Sequence, residues 1–361
     1  MKKLSLILGA LLAVGAIAQA KEAIIVPPIA EEVVYIEPVV ESVIIEEAFR
    51  PTGFIGVEYK GYGNTEGHGD ENPSTNTWNR GNNNYSRLQT SFVVQATENF
   101  KLEGRIRDYN NLERNDSTRI NNKKGTDTRL RAYYKHSDLY TSRIEYRDYI
   151  SDAEKFEYQF RITPYRNNGG LIDAITIAPK YSYTRYNNGT DYKNTVGADL
   201  YMTGNLPLGF TWENNVYLDY DMYSKDYIMT GVNNEGKAKH DNKEFVTTWE
   251  FYLYNSVPLY VAESHNLAFN FEGGYDPYIF RQYDRYAFDK ETATYSKTDA
   301  ANNTYSLYTA MDVSFTYFIT PAVTLRTGAG AEYRNWDIID QDKAKDWRWQ
   351  PFAYASMNIK F

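Results

Sequence analysis

The side chains with chemistry to offer in this chain are charges repeated at even spacing. Arg105 and Arg107, Arg129 and Arg131, and Arg143 and Arg147 lie two or four residues apart, as do Asp219 and Asp221, and Glu272 and Asp276. In extended backbone, residues at even spacing share one face. Ranks of guanidinium and carboxylate on a common wall do no covalent chemistry. They hold water, orient dipolar solutes and attract ions.

Groups for covalent or metal chemistry are sparse. Cysteine is absent, which removes disulfides, thiolate metal sites and a cysteine nucleophile. The four histidines, His68, His136, His240 and His265, are scattered and no pair has ligand spacing. Ser264-His265-Asn266 holds hydrolase residue types, but sequence neighbours do not point at one another. No enzyme, metal site or cofactor is expected. Gly328 and Gly330 resemble a phosphate loop only faintly, and the better expectation is that they leave room on an inward strand face. The sequons at Asn84, Asn188 and Asn302 are expected by chance.

The elements that carry the charges alternate with period two. Fourteen such segments can be marked, at 52–63, 85–96, 100–110, 127–136, 140–150, 154–165, 173–186, 195–206, 209–223, 244–254, 265–279, 305–318, 322–336 and 347–361. Each has about the nine to eleven residues, or slightly more, that a tilted strand needs to cross a bilayer. In the sixth, Phe156, Tyr158, Phe160 and Ile162 oppose Glu157, Gln159 and Arg161. A sandwich would alternate too, so the connections matter. After even segments they are mostly tight, as at 97–99, 137–139, 207–208 and 320–321. After odd segments they are mostly long and polar, as at 64–84, 111–126, 224–243, 280–304 and 337–346. Two exceptions stand out, a short connection at 151–153 and a long one at 255–264. Sorting of loop length by strand parity is the mark of an outer-membrane barrel with short periplasmic turns and long extracellular loops. The fold class expected is all-β, a transmembrane antiparallel β-barrel of about fourteen strands, or sixteen if a hairpin is missed.

The ends agree. Lys2 and Lys3 precede an apolar run to Ile17, and Ala18-Gln19-Ala20 reads as a cleavage site, so 1–20 is a secretory signal. Its loss takes the formal charge from −8 to −10, because it carries two lysines and no acid. Residues 21–50, rich in Val, Pro and Glu, read as an extended periplasmic segment, and 51–361 as the barrel. The last strand alternates Ala353, Ala355, Met357, Ile359 and Phe361 with polar neighbours, then stops. A closing strand does this, since it must pair with the first to remove both edges. An even strand count puts both termini in the periplasm. The 34 Tyr suit headgroup girdles and a polar lumen wall.

With the greasy face turned to lipid, the charges turn inward. Segments two to six then place Arg87, Arg105, Arg107, Arg129, Arg131, Lys135, Arg143, Arg147 and Arg161 on the lumen wall. Segments eight to thirteen place Asp199, Glu213, Asp219, Asp221, Glu250, Glu272, Asp276, Asp312 and Glu332 there. The sorting is imperfect, with Glu103, Glu145 and Glu157 in the basic arc and Arg326 and Arg334 in the acidic one. Opposed arcs imply a transverse field across the water path; the plainer alternative is that the charges merely wet the wall. Arg105, Arg107, Arg129, Arg131 and Arg147 against Asp219, Asp221, Glu272, Asp276 and Asp312 are the candidates for a constriction.

The signal and the Val/Pro/Glu segment, Arg87-Leu88-Gln89-Thr90, Asn121-Asn122-Lys123-Lys124, Glu272-Gly273-Gly274-Tyr275-Asp276, Glu332-Tyr333-Arg334-Asn335 and Trp347-Arg348-Trp349-Gln350-Pro351 together resemble the FomA-type major outer-membrane porins of fusobacteria. The likeness covers nearly the whole chain. It implies a voltage-gated, trimeric general-diffusion porin in the outer membrane, passing small hydrophilic solutes and ions. It also implies a surface adhesin, so host or bacterial surface ligands of the loops are possible partners, and nucleic acid is not. An adhesin that uses its barrel only as an anchor is the competing reading.

Overall fold

Alternating segments become strands because period-two patterning gives each one a face for lipid and a face for water. The computed structural model describes residues 49–66, 84–112, 125–150, 153–167, 169–186, 189–225, 227–230, 237–240, 242–289, 294–335 and 347–361. The signal and nearly all of the 21–50 segment lie outside them. Residues 49–361 form one unit.

The strands in chain order are β1 (Thr52–Tyr62), β2 (Tyr85–Gln95), β3 (Phe100–Asn111), β4 (Gly125–Lys135), β5 (Tyr140–Asp148), β6 (Glu154–Arg166), β7 (Ala174–Tyr186) and β8 (Asp191–Asn205). Then follow β9 (Thr211–Tyr223), a short hairpin of β10 (Tyr227–Thr230) and β11 (Lys237–His240), β12 (Lys243–Val261), β13 (His265–Asp289), β14 (Thr294–Phe318), β15 (Val323–Asn335) and β16 (Trp347–Lys360). Each pairs antiparallel with the next from β1 to β9. The ring continues β9–β12–β13–β14–β15–β16, and β16 pairs with β1. Phe361 and Gly53 exchange both backbone hydrogen bonds, at 2.9 and 3.1 Å, where the ends meet. The result is a closed barrel of fourteen strands. The extra hairpin does not widen it, because β11 pairs with the far end of β13, Ala238 opposite Ala287, outside the ring.

Two long connections prove to be strand. β12 continues to Val261, so the long connection expected at 255–264 is a three-residue turn, and one exception to the short-turn rim disappears. Pro258 is tolerated there because β9 pairs with β12 only as far as Tyr254, leaving that edge with no ladder bond to lose. Likewise 280–304, expected as loop, extends β13 and β14 into a hairpin of 25-residue strands.

The faces are inverted relative to a soluble protein. Val57, Ile144, Phe156, Ile177, Val196, Leu218, Val313, Leu325 and Ile359 are exposed on the outside. The largest fully buried side chains are polar, among them Gln159, Gln350 and Glu145. An eleven-residue strand at about 3.3 Å per residue and about 40° tilt covers on the order of 28 Å, close to the apolar band of an outer-membrane barrel. An aromatic cluster of buried residues, Tyr62, Tyr85, Tyr109 and Phe352, faces inward in the half of the barrel away from the short turns.

Candidate functional site: the barrel interior

The inward register brings like charges level on adjacent strands. Arg105 on β3 is opposite Arg129 on β4, Arg129 opposite Arg147 on β5, and Arg147 opposite Lys155 on β6. Like charges directly opposed across a ladder are destabilising. Relief comes from carboxylates directly opposite or two residues along. Arg147 reaches Asp127 at 3.1 Å, and Arg105 approaches the same carboxylate at 3.6 Å. Arg131 bonds Glu145 at 2.5 Å, and Lys155 bridges Glu145 and Glu157 at 3.1 and 2.9 Å. Arg143 is paired with Glu157. Arg107 donates to Gln89 at 2.7 Å, and Arg129 has no ion pair or hydrogen bond among the described residues.

The network continues round the wall. Lys180 on β7 holds Asp199 of β8 and Asp219 of β9, each at 2.7 Å, and Lys193 holds Asp221 at 2.8 Å. Gly197 makes this possible, since a Cβ there would lie 2.6 Å from the Asp219 carboxylate oxygen and 3.1 Å from Lys180 Cε. Gln159, wholly buried, donates to Asp199 at 2.5 Å and accepts from Arg161 at 2.9 Å. Arg161 also lies 4.5 Å from the centroid of the Tyr201 ring. Arg143, Glu145, Glu157 and Asp199 are all buried, so side chains fill this side of the interior.

The wall from β9 to β14 is built differently. Its carboxylates meet mainly neutral donors. Tyr217 donates to Glu250 at 2.9 Å, Tyr252 to Asp276 at 3.0 Å, and Tyr308 to Glu272. Asn215 donates to Glu213 at 2.7 Å, while Asn270 and Tyr354 donate to Asp312 at 2.8 and 2.9 Å. Two cations of β15 reach this wall: Arg334 is paired with Glu332 and 3.6 Å from Asp276, and Arg326 donates to Ser314 at 3.2 Å. The Tyr354 ring lies across Gly328, where a Cβ would stand 2.6 Å from it, which gives that glycine its inward-face role.

Of the arginines singled out by alternation, Arg87 stands apart, bonded to Glu58 at 2.6 Å on β1. Beside it is a chamber of about 660 Å³ lined by β1, β2, β12–β16 and the Gly209 turn. The partners Asp127, Lys155, Lys180 and Lys193 and the tyrosine donors were not among the residues singled out. The alternation that places Glu157 inward also places Lys155 inward, and Lys180 shares that parity in the seventh segment; Lys193 lies before the eighth segment, because β8 begins at Asp191 and not at 195. Among the described residues no group of His, Cys, Asp and Glu could hold a metal ion.

No protein-family model and no curated protein matches the chain. Similar solved structures include a bacterial polysaccharide outer membrane secretin, with 10% identity, 86% of this chain and 98% of that one covered, and a TM-score of 0.40. Others are the outer membrane channel DcaP of Acinetobacter baumannii (10% identity, 86% and 96% covered, TM-score 0.32) and an outer membrane channel of Pseudomonas putida F1 (12% identity, 91% and 100% covered, TM-score 0.28).

Proposed function

We propose that the chain is an outer-membrane channel for passive diffusion of small hydrophilic solutes and ions. The observation that carries this reading is the inverted barrel: an apolar exterior, a charged interior, and a chamber that side chains leave open. Fourteen strands enclose more than side chains alone fill unless a loop folds in. The cationic row of β3–β5 and the tyrosine-held carboxylates of β12–β14 act as the opposed charges of the water path. Membership of the FomA-type porins, cleavage of 1–20, a periplasmic 21–50 segment, periplasmic termini, trimer formation and voltage sensitivity belong to the same proposal.

A test of the transport reading is swelling of liposomes carrying the refolded protein in solutions of small sugars. Swelling that slows as the sugar grows supports it; impermeability to the smallest sugar, with the barrel folded, rejects it.

The adhesin reading draws on one observation. β13 and β14 run far past the ring, and β11 adds to that extension, giving a hairpin blade beyond the barrel at the rim away from the short turns. Deleting the blade should abolish cell attachment and leave swelling intact if both roles are held.

A further inference from the structure

The chamber has two poles of opposite charge, each keeping a charged group outside the ion pairs that fill the β4–β9 wall. On one side Lys60 of β1 has its ammonium 3.7 Å from the centroid of the Phe352 ring, with no carboxylate partner among the described residues. Arg87 beside it spends one contact on Glu58, leaving most of a five-donor guanidinium. On the other side Glu272 accepts from the Tyr308 hydroxyl. Asp312 takes both its hydrogen bonds, from Asn270 and Tyr354, on the single oxygen Oδ1. Neutral donors fix these carboxylates in place and leave their charge intact. Between the poles lie Tyr354, Ser356 and Asn358 of β16 and the guanidinium of Arg326 on β15, which donates to Ser314 at 3.2 Å, while Gln89, Ser256 and Asn270 add amide and hydroxyl beside the poles.

We propose that this chamber is a saturable binding site for short peptides with free ends. The peptide ammonium sits at Glu272 and Asp312, its carboxylate at Lys60 and Arg87, and its carbonyls and amides against Arg326 and the amides and hydroxyls of the lining. Two features select this class. A volume near 660 Å³ falls in the range of about 300–1,000 Å³ typical of small-molecule sites. The poles are also separated by β16 and β15, so at about 4.8 Å per strand they stand well apart around the wall. Side chains reaching in from both leave a gap longer than one α-amino acid, whose two charges share a single carbon. Cation and anion recognition at opposite ends fixes peptide direction without reading side chains, which suits a channel passing many sequences.

The proposal rests on the channel reading, and one experiment separates their failures. Single-channel current through the refolded protein is recorded at neutral pH with trialanine, its N-acetyl form, its amide and the doubly capped form. Trialanine should interrupt the current saturably. Each single cap should raise the half-blocking concentration by about tenfold, the order expected for losing one charged contact. Lys60→Gln should erase the distinction between trialanine and its amide, and Glu272→Gln that between trialanine and its N-acetyl form. Lys101→Gln, paired with Glu103 on β3 and outside the chamber lining, should preserve both. Block is scored as a fraction of each variant's own open current, so any variant that conducts reports on the site; Arg87→Gln and Asp312→Asn serve where one does not. A conducting channel that all four compounds affect equally, or not at all, overturns the peptide site and spares the channel. Absence of current from folded protein overturns both.

Discussion

Glu145, Glu157, Asp199, Asp219 and Asp221, on β5 to β9, meet lysine or arginine, whereas the carboxylates on β12, β13 and the middle of β14, with Glu213 at the start of β9, meet chiefly tyrosine and asparagine. The first arrangement yields Glu145 between Arg131 and Lys155, and Asp199 and Asp219 sharing Lys180. The second yields Glu250, Glu272 and Asp312 held by hydroxyls and an amide. Both give each carboxylate a partner, but they differ in what reaches the water. A paired charge is a short dipole whose field falls off quickly, while one held by neutral donors keeps its monopole. The interior thus has a wall that braces and a wall that projects charge, and the open chamber lies against the second.

The sharpest way to break this comparison is to remove one carboxylate from each wall. Glu145→Ala leaves the half-buried Arg131 without its carboxylate and Lys155 with Glu157 alone, and should cost about 3 kcal/mol. Glu272→Ala strands only a tyrosine hydroxyl and should cost about 1–2 kcal/mol. Urea unfolding of the vesicle-reconstituted barrel measures both, and equal losses would erase the distinction. Next in size is the effect on selectivity. Neutralising Arg105, Arg107, Arg129 and Arg131 together should raise cation preference by at least about twofold, because that row carries more positive charge than Asp127 and Glu145 offset. Reversal potentials in a salt gradient read this directly; unchanged values would reject a constriction role. Glu250→Gln with Asp276→Asn should shift the same potential the other way and by less, since only two charges are lost. The smallest change is expected from Tyr308→Phe. It removes one donor from Glu272, about 1 kcal/mol of stability, and leaves the sign of selectivity as it was.

Much of the barrel could be read from the residues, and the exceptions have physical causes. Where strands cross lipid, as in 154–165, apolar and polar residues must alternate, and the expected segment matches β6 to within a residue. Above the lipid nothing requires a greasy face. Phe280 to Thr304 mixes Arg, Tyr, Asp and Thr without period, so the upper halves of β13 and β14 look like loop. Pro258 hides the end of β12 because its penalty depends on whether a neighbour occupies that edge. For the interior, parity suffices to say which way Arg131 or Asp219 points. It does not say what each meets. Lys180 bonds both Asp199 and Asp219 only because β7, β8 and β9 are paired in one register, with Lys180 opposite Gly197 and Gly197 opposite Asp219. Register is a property of three strands together, and alternation within one of them does not carry it.

The central claim is that a hydrated path runs through the barrel beside the tyrosine-held carboxylates. Planar-bilayer recording of the purified, refolded protein tests it most directly. Discrete, ohmic current steps that persist in salts of different ions are expected; protein that is heat-modifiable and β-rich yet electrically silent would contradict the claim.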